Sequence, residues 1–121
     1  MAQSDYLRQT AVTLEENLKK ALTELLILRV LSEREYYIGE LTETLHKKSG
    51  ETLTIVFPYS AIYRLIHAGY IIESQKRVAP DGRRRQYFDI TPSGREYLAL
   101  LLRNYERFNN GIANILAPWN D

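Results

Sequence analysis

The 121-residue chain contains no cysteine. Disulfides, thiolate metal sites and a cysteine nucleophile are thereby excluded. Histidine is nearly as scarce. His46 and His67 are the two, they fall on different predicted helices, and His67 reads as a surface or packing residue. No HExxH, CxxC, Walker-type or GxGxxG pattern occurs. The carboxylates are scattered, with no pair set among apolar residues where a raised pKa would serve acid–base work. Ser93-Gly94 lacks the strand-turn-helix and G-x-S-x-G setting of a nucleophile elbow. Catalysis, a metal and a cofactor are therefore not expected. No apolar run approaches the roughly 20 residues needed to span a membrane, and nothing near Met1 resembles a signal peptide. A cytoplasmic protein is expected. Net charge is also nearly absent, with 16 Lys and Arg against 15 Asp and Glu leaving +1. Any case for nucleic acid must rest on where the charges lie.

They are concentrated in one place. Residues 76–85 hold Lys76, Arg77, Arg83, Arg84 and Arg85 against Asp81 alone, a local +4 on an almost neutral chain. The segment is the tip of a predicted hairpin. YIIESQKRV and RRRQYFDIT flank Ala79-Pro80-Asp81-Gly82, two strand-like runs about a Pro-Asp-Gly turn. A short helix precedes it, PYSAIYRLIHAG. Pro58 suits the first turn, where its missing N–H is not needed. Ile62, Leu65 and Ile66 form one apolar stripe, and Gly69 ends the helix. Tyr59, Ser60, Tyr63 and Arg64 are left on the other side as hydrogen-bonding and cationic groups. A helix followed by a basic hairpin is the pattern of a winged helix-turn-helix, the helix reading the major groove and the wing touching phosphate or the minor groove.

The remaining segments supply a scaffold. From Leu14 to Leu31 the helical signal is strong, and its second half is apolar on most sides, as in a buried helix. Leu7, Ala11, Leu14 and Leu18 either extend it toward the N-terminus or pack against a partner. Tyr36 to Ser49 reads as a second helix with Ile38, Leu41 and Leu45 buried and Gly50 closing it. Lys47 and Lys48 read as its solvated end. Tyr37 is either a phosphate contact or a supporting aromatic. Glu51 to Phe57 is a short strand or the turn of the motif. Thr91 is a plausible N-cap, with Pro92 at the first helical position. Leu98, Leu101, Tyr105, Phe108, Ile112 and Ile115 then recur at alternating spacings of three and four, the a/d spacing of a coiled-coil seam. A domain that already has a core leaves such a seam for a second copy, and these six residues are the expected dimer interface. Gly111 should bend or fray the helix, and Ala117-Pro118-Trp119 should end it.

LLILRVL, YYIGEL, YSAIYRLIHAGYI and GRRRQYFDITPSG, in this order, resemble the PadR-type transcriptional regulators from about Leu18 onward. Tyr59, Leu65 and Gly69 stand where that family has its recognition-helix tyrosine, core leucine and helix-ending glycine. Arg83, Arg84, Tyr87, Thr91 and Gly94 match its wing and post-wing pattern. Phe57-Pro58 and Tyr63 depart from it. The expected fold is mainly α with a small antiparallel β-hairpin. It makes one domain over 1–121, with a winged helix-turn-helix at about 14–91 and a dimerisation helix at about 92–116. The resemblance implies a homodimeric repressor bound to a palindromic operator in double-stranded DNA. The expected DNA contacts are Tyr37, Tyr59, Ser60, Tyr63, Arg64, Lys76, Arg77, Arg83, Arg84 and Arg85. The family's phenolic or drug-like effectors would meet Tyr105 and Phe108 between the subunits. A winged-helix protein-interaction module without DNA binding is the competing expectation.

Overall fold

Thirty residues of continuous helix open the fold, α1 (Ala2–Leu31). The computed structural model describes residues 2–56 and 58–119. Helix α1 runs well past the predicted start. Its first half leaves Leu7, Leu14 and Leu18 exposed, while the side chain of Ala11 lies outside the described residues. The second half sinks into the protein, with Ile27, Leu28 and Leu31 fully buried.

The expected second helix is shorter than predicted. Tyr36–Tyr37 is a strand, β1, and helix α2 (Ile38–Lys48) starts only after it. Aromatic residues suit a pleated, half-buried surface, and the helical period of Ile38, Leu41 and Leu45 does not say where the helix begins. His46 then ties the end of α2 to the connector, its Nδ1 lying 2.9 Å from the Leu53 carbonyl oxygen. That connector is neither strand nor helix, and the departure noted at Phe57 lies outside the described residues.

Helix α3 (Tyr59–His67) follows buried Pro58. It ends in a Schellman motif, in which Gly69 N–H donates to the Ile66 carbonyl and Tyr70 N–H to that of Leu65. Gly69 has φ +82°, the conformation this cap requires. Strands β2 (Ile71–Val78) and β3 (Arg84–Ile90) form the predicted hairpin. β1 adds to it, Tyr36 opposite Phe88 and Tyr37 opposite Tyr87, giving an antiparallel sheet of order β1-β3-β2. The β2–β3 register slips by one residue between Glu73 and Lys76. Such a bulge bends the strand and increases its twist.

Helix α4 (Pro92–Leu116) is capped by Thr91, whose side chain accepts from Gly94 N–H. The same hydroxyl donates to the Gly69 carbonyl at 2.7 Å, and Thr91 N–H donates to the Tyr70 carbonyl. One residue thus joins the end of α3 to the start of α4. Tyr97 stacks on Tyr70 with ring centroids 4.3 Å apart, and Leu98 is buried in the core with Ile62, Leu65, Ile71 and Ile90. From Arg103 onward every described residue of α4 is exposed. The helix continues through Gly111 to Leu116, past the expected fraying point.

Gly94 is the tightest point of this joint. A Cβ there would lie 2.0 Å from the Tyr70 carbonyl oxygen and 2.8 Å from Ile90 Cγ1. Gly94→Ala must push the start of α4 off Tyr70 and Ile90 and is expected to cost about 3 kcal/mol of stability, read from the urea midpoint. Gly111→Ala meets nothing within 4 Å and should instead stabilise, by up to roughly 1 kcal/mol.

Candidate nucleic-acid interface

Helix α3 is amphipathic because its residues alternate at helical spacing. Ala61, Ile62 and Leu65 face the core, whereas Tyr59, Ser60, Tyr63 and Arg64 are exposed. The helix forms a ridge between two grooves. On the hairpin side a groove of about 710 Å³ is lined by Tyr37, Thr42, Tyr59, Tyr63, Lys76, Arg85 and Gln86 among others. On the α1 side a groove of about 590 Å³ is lined by Lys19, Lys20, Thr54, Ser60 and Arg64 among others. The four outward side chains of α3 therefore split, the tyrosines toward the hairpin and Ser60 and Arg64 toward α1.

The hairpin tip is built by its turn residues. Gly82 takes φ +82°, Ala79 N–H donates to the Arg83 carbonyl, and Gly82 N–H donates to that of Ala79. Asp81 accepts from Arg83 N–H at 3.0 Å and from the Arg85 guanidinium at 2.7 Å. These bonds hold the Asp81 carboxyl below its usual range, the Arg85 bond first.

The five cations of this segment do not act alike. Arg85 is taken up by Asp81, and its guanidinium carbon lies 5.4 Å from the Tyr37 ring centroid. Arg77 is pinned more firmly. It donates to Glu35 at 2.9 Å, and its guanidinium carbon lies 3.6 Å from the Tyr87 ring centroid. Tyr87 in turn meets Tyr37 edge to face, centroids 5.6 Å apart. Arg77, Tyr87, Tyr37 and Arg85 form one contiguous group on the hairpin beside β1, so Arg77, expected as a phosphate contact, is also engaged within the chain. Lys76, Arg83 and Arg84 have no ion-pair partner among the described residues. Tyr37 is half-buried in that contiguous group, and burial pushes its hydroxyl above the ordinary phenol value. It therefore stays a protonated donor at neutral pH.

Arg64 is also engaged, its Nε bonding Glu24 on α1 at 2.9 Å. Lys47 pairs with Glu43 and Lys48 with Glu33, in keeping with a solvated helix end. Sequence reasoning missed Glu24 and Glu35 as partners of Arg64 and Arg77. They lie 40 and 42 residues away, and no local spacing signals such pairs. No group of His, Asp and Glu among the described residues is arranged to hold a metal ion, and no helix among them is long and apolar enough to cross a membrane.

The expected dimer seam divides in two. Leu98 is buried in its own core and Leu101 packs partly against it, so these two serve α4's seat within the chain. Gly94 allows this seat by bringing the start of α4 down onto the Tyr70 carbonyl and Ile90. Tyr105, Phe108, Ile112 and Ile115 remain exposed, Phe108 by 71%. Between α4 and α1 runs an apolar groove of about 730 Å³ lined by Leu18, Leu22, Leu25, Tyr105, Phe108 and Ile112 among others.

Residues 27–100 match the family model described as the transcriptional regulator PadR-like family. Among solved structures, a transcriptional regulator from Clostridium thermocellum is 26% identical, with 84% of this chain and 99% of that chain covered and a TM-score of 0.72. A PadR-like transcriptional regulator from Bacillus cereus is 24% identical, with 85% and 99% covered and a TM-score of 0.72. A PadR family regulator from Eggerthella lenta is 20% identical, with 96% and 93% covered and a TM-score of 0.69. The latter two speak to the fold alone. No curated protein matches the chain.

The Glu35–Arg77 pair has a pH signature. The Arg77 guanidinium, first among the causes, holds the Glu35 carboxyl below the ordinary glutamate range. A carboxyl whose folded value lies below its unfolded value contributes fully above about pH 4.3 and loses that contribution as the pH falls through the folded value. The urea midpoint should fall on acidification, and less steeply in Glu35→Gln. At neutral pH Arg77→Ala should cost measurable stability, whereas Lys76→Ala should stay within about 0.5 kcal/mol of wild type.

Proposed function

The chain belongs to the PadR-like family of transcriptional regulators, and we propose that it is a homodimeric repressor reading a palindromic operator through α3. The observation that carries this reading is the common placement of two groups. The exposed Tyr59, Ser60, Tyr63 and Arg64 of α3 stand beside a hairpin whose Lys76, Arg83 and Arg84 have no ion-pair partner among the described residues. Side chains on a ridge supply base-edge contacts, and unpaired cations on a flanking arm supply phosphate contacts. Tyr37 adds a hydroxyl donor on the hairpin side.

The dimer follows from the surface that α4 and α1 leave uncovered. Tyr105, Phe108, Ile112 and Ile115 on α4 share this exposure with Leu7, Leu14 and Leu18 on α1. An apolar surface of this extent is costly to leave in water, and a second copy supplies its equal. A two-fold would set two α3 helices about 34 Å apart, one turn of duplex. Tyr105 and Phe108 border the apolar α1–α4 groove, which suits a flat aromatic effector held by stacking. Its binding would relieve repression by changing how the two copies meet.

Two experiments test this reading. Replacing Lys76, Arg83 and Arg84 together by Ala should preserve folding and weaken binding to all duplexes. With about six phosphates per dimer no longer neutralised, the slope of log affinity against log salt should flatten by roughly five. An unchanged slope removes the wing from the mechanism. Phe108→Glu should give a folded monomer by sedimentation that binds neither operator nor planar aromatics. A dimer that persists overturns the α4 interface.

A further inference from the structure

Arg64 sits on the reading ridge but is not loose. Its Nε donates to Glu24 Oε1 at 2.9 Å, the arginine side chain being 60% exposed and the glutamate 27%. The bond is made at Nε alone. Among the described residues, Nη1 and Nη2 have no hydrogen-bond partner. A guanidinium held in this way keeps its two-NH₂ edge free, and that edge can match the O6 and N7 acceptors of guanine in the major groove.

Resting on the DNA-reading function proposed above, we infer that Glu24 is a positioning residue for sequence specificity. It fixes Arg64 so that the Nη1–Nη2 edge meets a guanine rather than the nearest phosphate. Two effects act together. An unrestrained arginine loses rotamer freedom when it docks on a base, and a guanidinium already held at Nε loses less. The carboxylate also offsets most of the arginine's charge. Attraction to phosphate, which is the same on every sequence, is thereby weakened, while the directional two-point bond to guanine is kept. Glu24 gives up general affinity for discrimination.

A purely structural role explains the pair less well. Exposed ion pairs contribute little to stability, and α1 and α3 already share a buried core through Leu28, Ile62 and Leu65. Glu24 stands 40 residues from Arg64 in the chain, so the contact is not a by-product of helix spacing.

The test uses the full chain and two duplexes, one selected by the wild-type protein from a random pool and one of random sequence. In Glu24→Ala the affinity ratio between them should fall by about tenfold. The selected duplex is released more readily, while binding to the random duplex is unchanged or tighter and its salt slope is not reduced. Glu24→Gln, whose amide oxygen still accepts from Nε, should keep most of the ratio. In an Arg64→Ala background the Glu24 change should do nothing further. The inference is overturned if Glu24→Ala leaves the ratio unchanged, weakens both duplexes equally, or acts as strongly without Arg64. A wild-type protein that enriches no sequence is a different result, and overturns the DNA-reading premise itself.

Discussion

The Thr91 hydroxyl is the joint on which the geometry of this protein turns. It donates to the carbonyl of Gly69, which ends α3, and accepts from the N–H of Gly94, which starts α4. Each of these backbone groups lies at a helix end with no partner in its own helix, and would otherwise need water or another cap. One side chain serves both and so ties the end of α3 to the start of α4. Gly94 closes the joint because any larger residue would collide with the Tyr70 carbonyl.

The cations near α3 obey a division of labour set by their neighbours. Arg77 and Arg85 are taken up by Glu35, Asp81 and the Tyr37–Tyr87 pair. A two-stranded ribbon is marginal by itself, and this group, with β1 as a third strand, holds it against the body. Lys76, Arg83 and Arg84 have no ion-pair partner among the described residues. The local excess of positive charge is thus partly a device for holding the arm in place and partly charge left without an ion-pair partner among the described residues.

Much of this was legible in the chain. The stripe of Ile62, Leu65 and Ile66, the Gly69 cap, the Pro80-Asp81-Gly82 turn and the Thr91-Pro92 start are local signals, and each was found where the spacing put it. The start of α2 was misread because Tyr36 and Tyr37 gain their strand partners, Phe88 and Tyr87, only far along the sequence, and strand preference depends on such neighbours. The seam from Leu98 to Ile115 was read as one surface because a constant helical period carries no mark of where a helix leaves its own domain. The structure divides it, giving Leu98 and Leu101 to the core and leaving Tyr105 onward exposed.

The sequence alone determined the four helices, the hairpin and the place where positive charge collects, though not β1, since helix caps, turns and amphipathic stripes are written in residues a few positions apart. It also carried the family resemblance, through motifs of the same local kind. Which arginines are free and which are tied was decided only by the tertiary structure. Glu24 meets Arg64 across 40 residues and Glu35 meets Arg77 across 42. Pairs at such separations come from how helices and strands pack in space, and a charge counted along the chain does not reveal whether folding has already given it a partner.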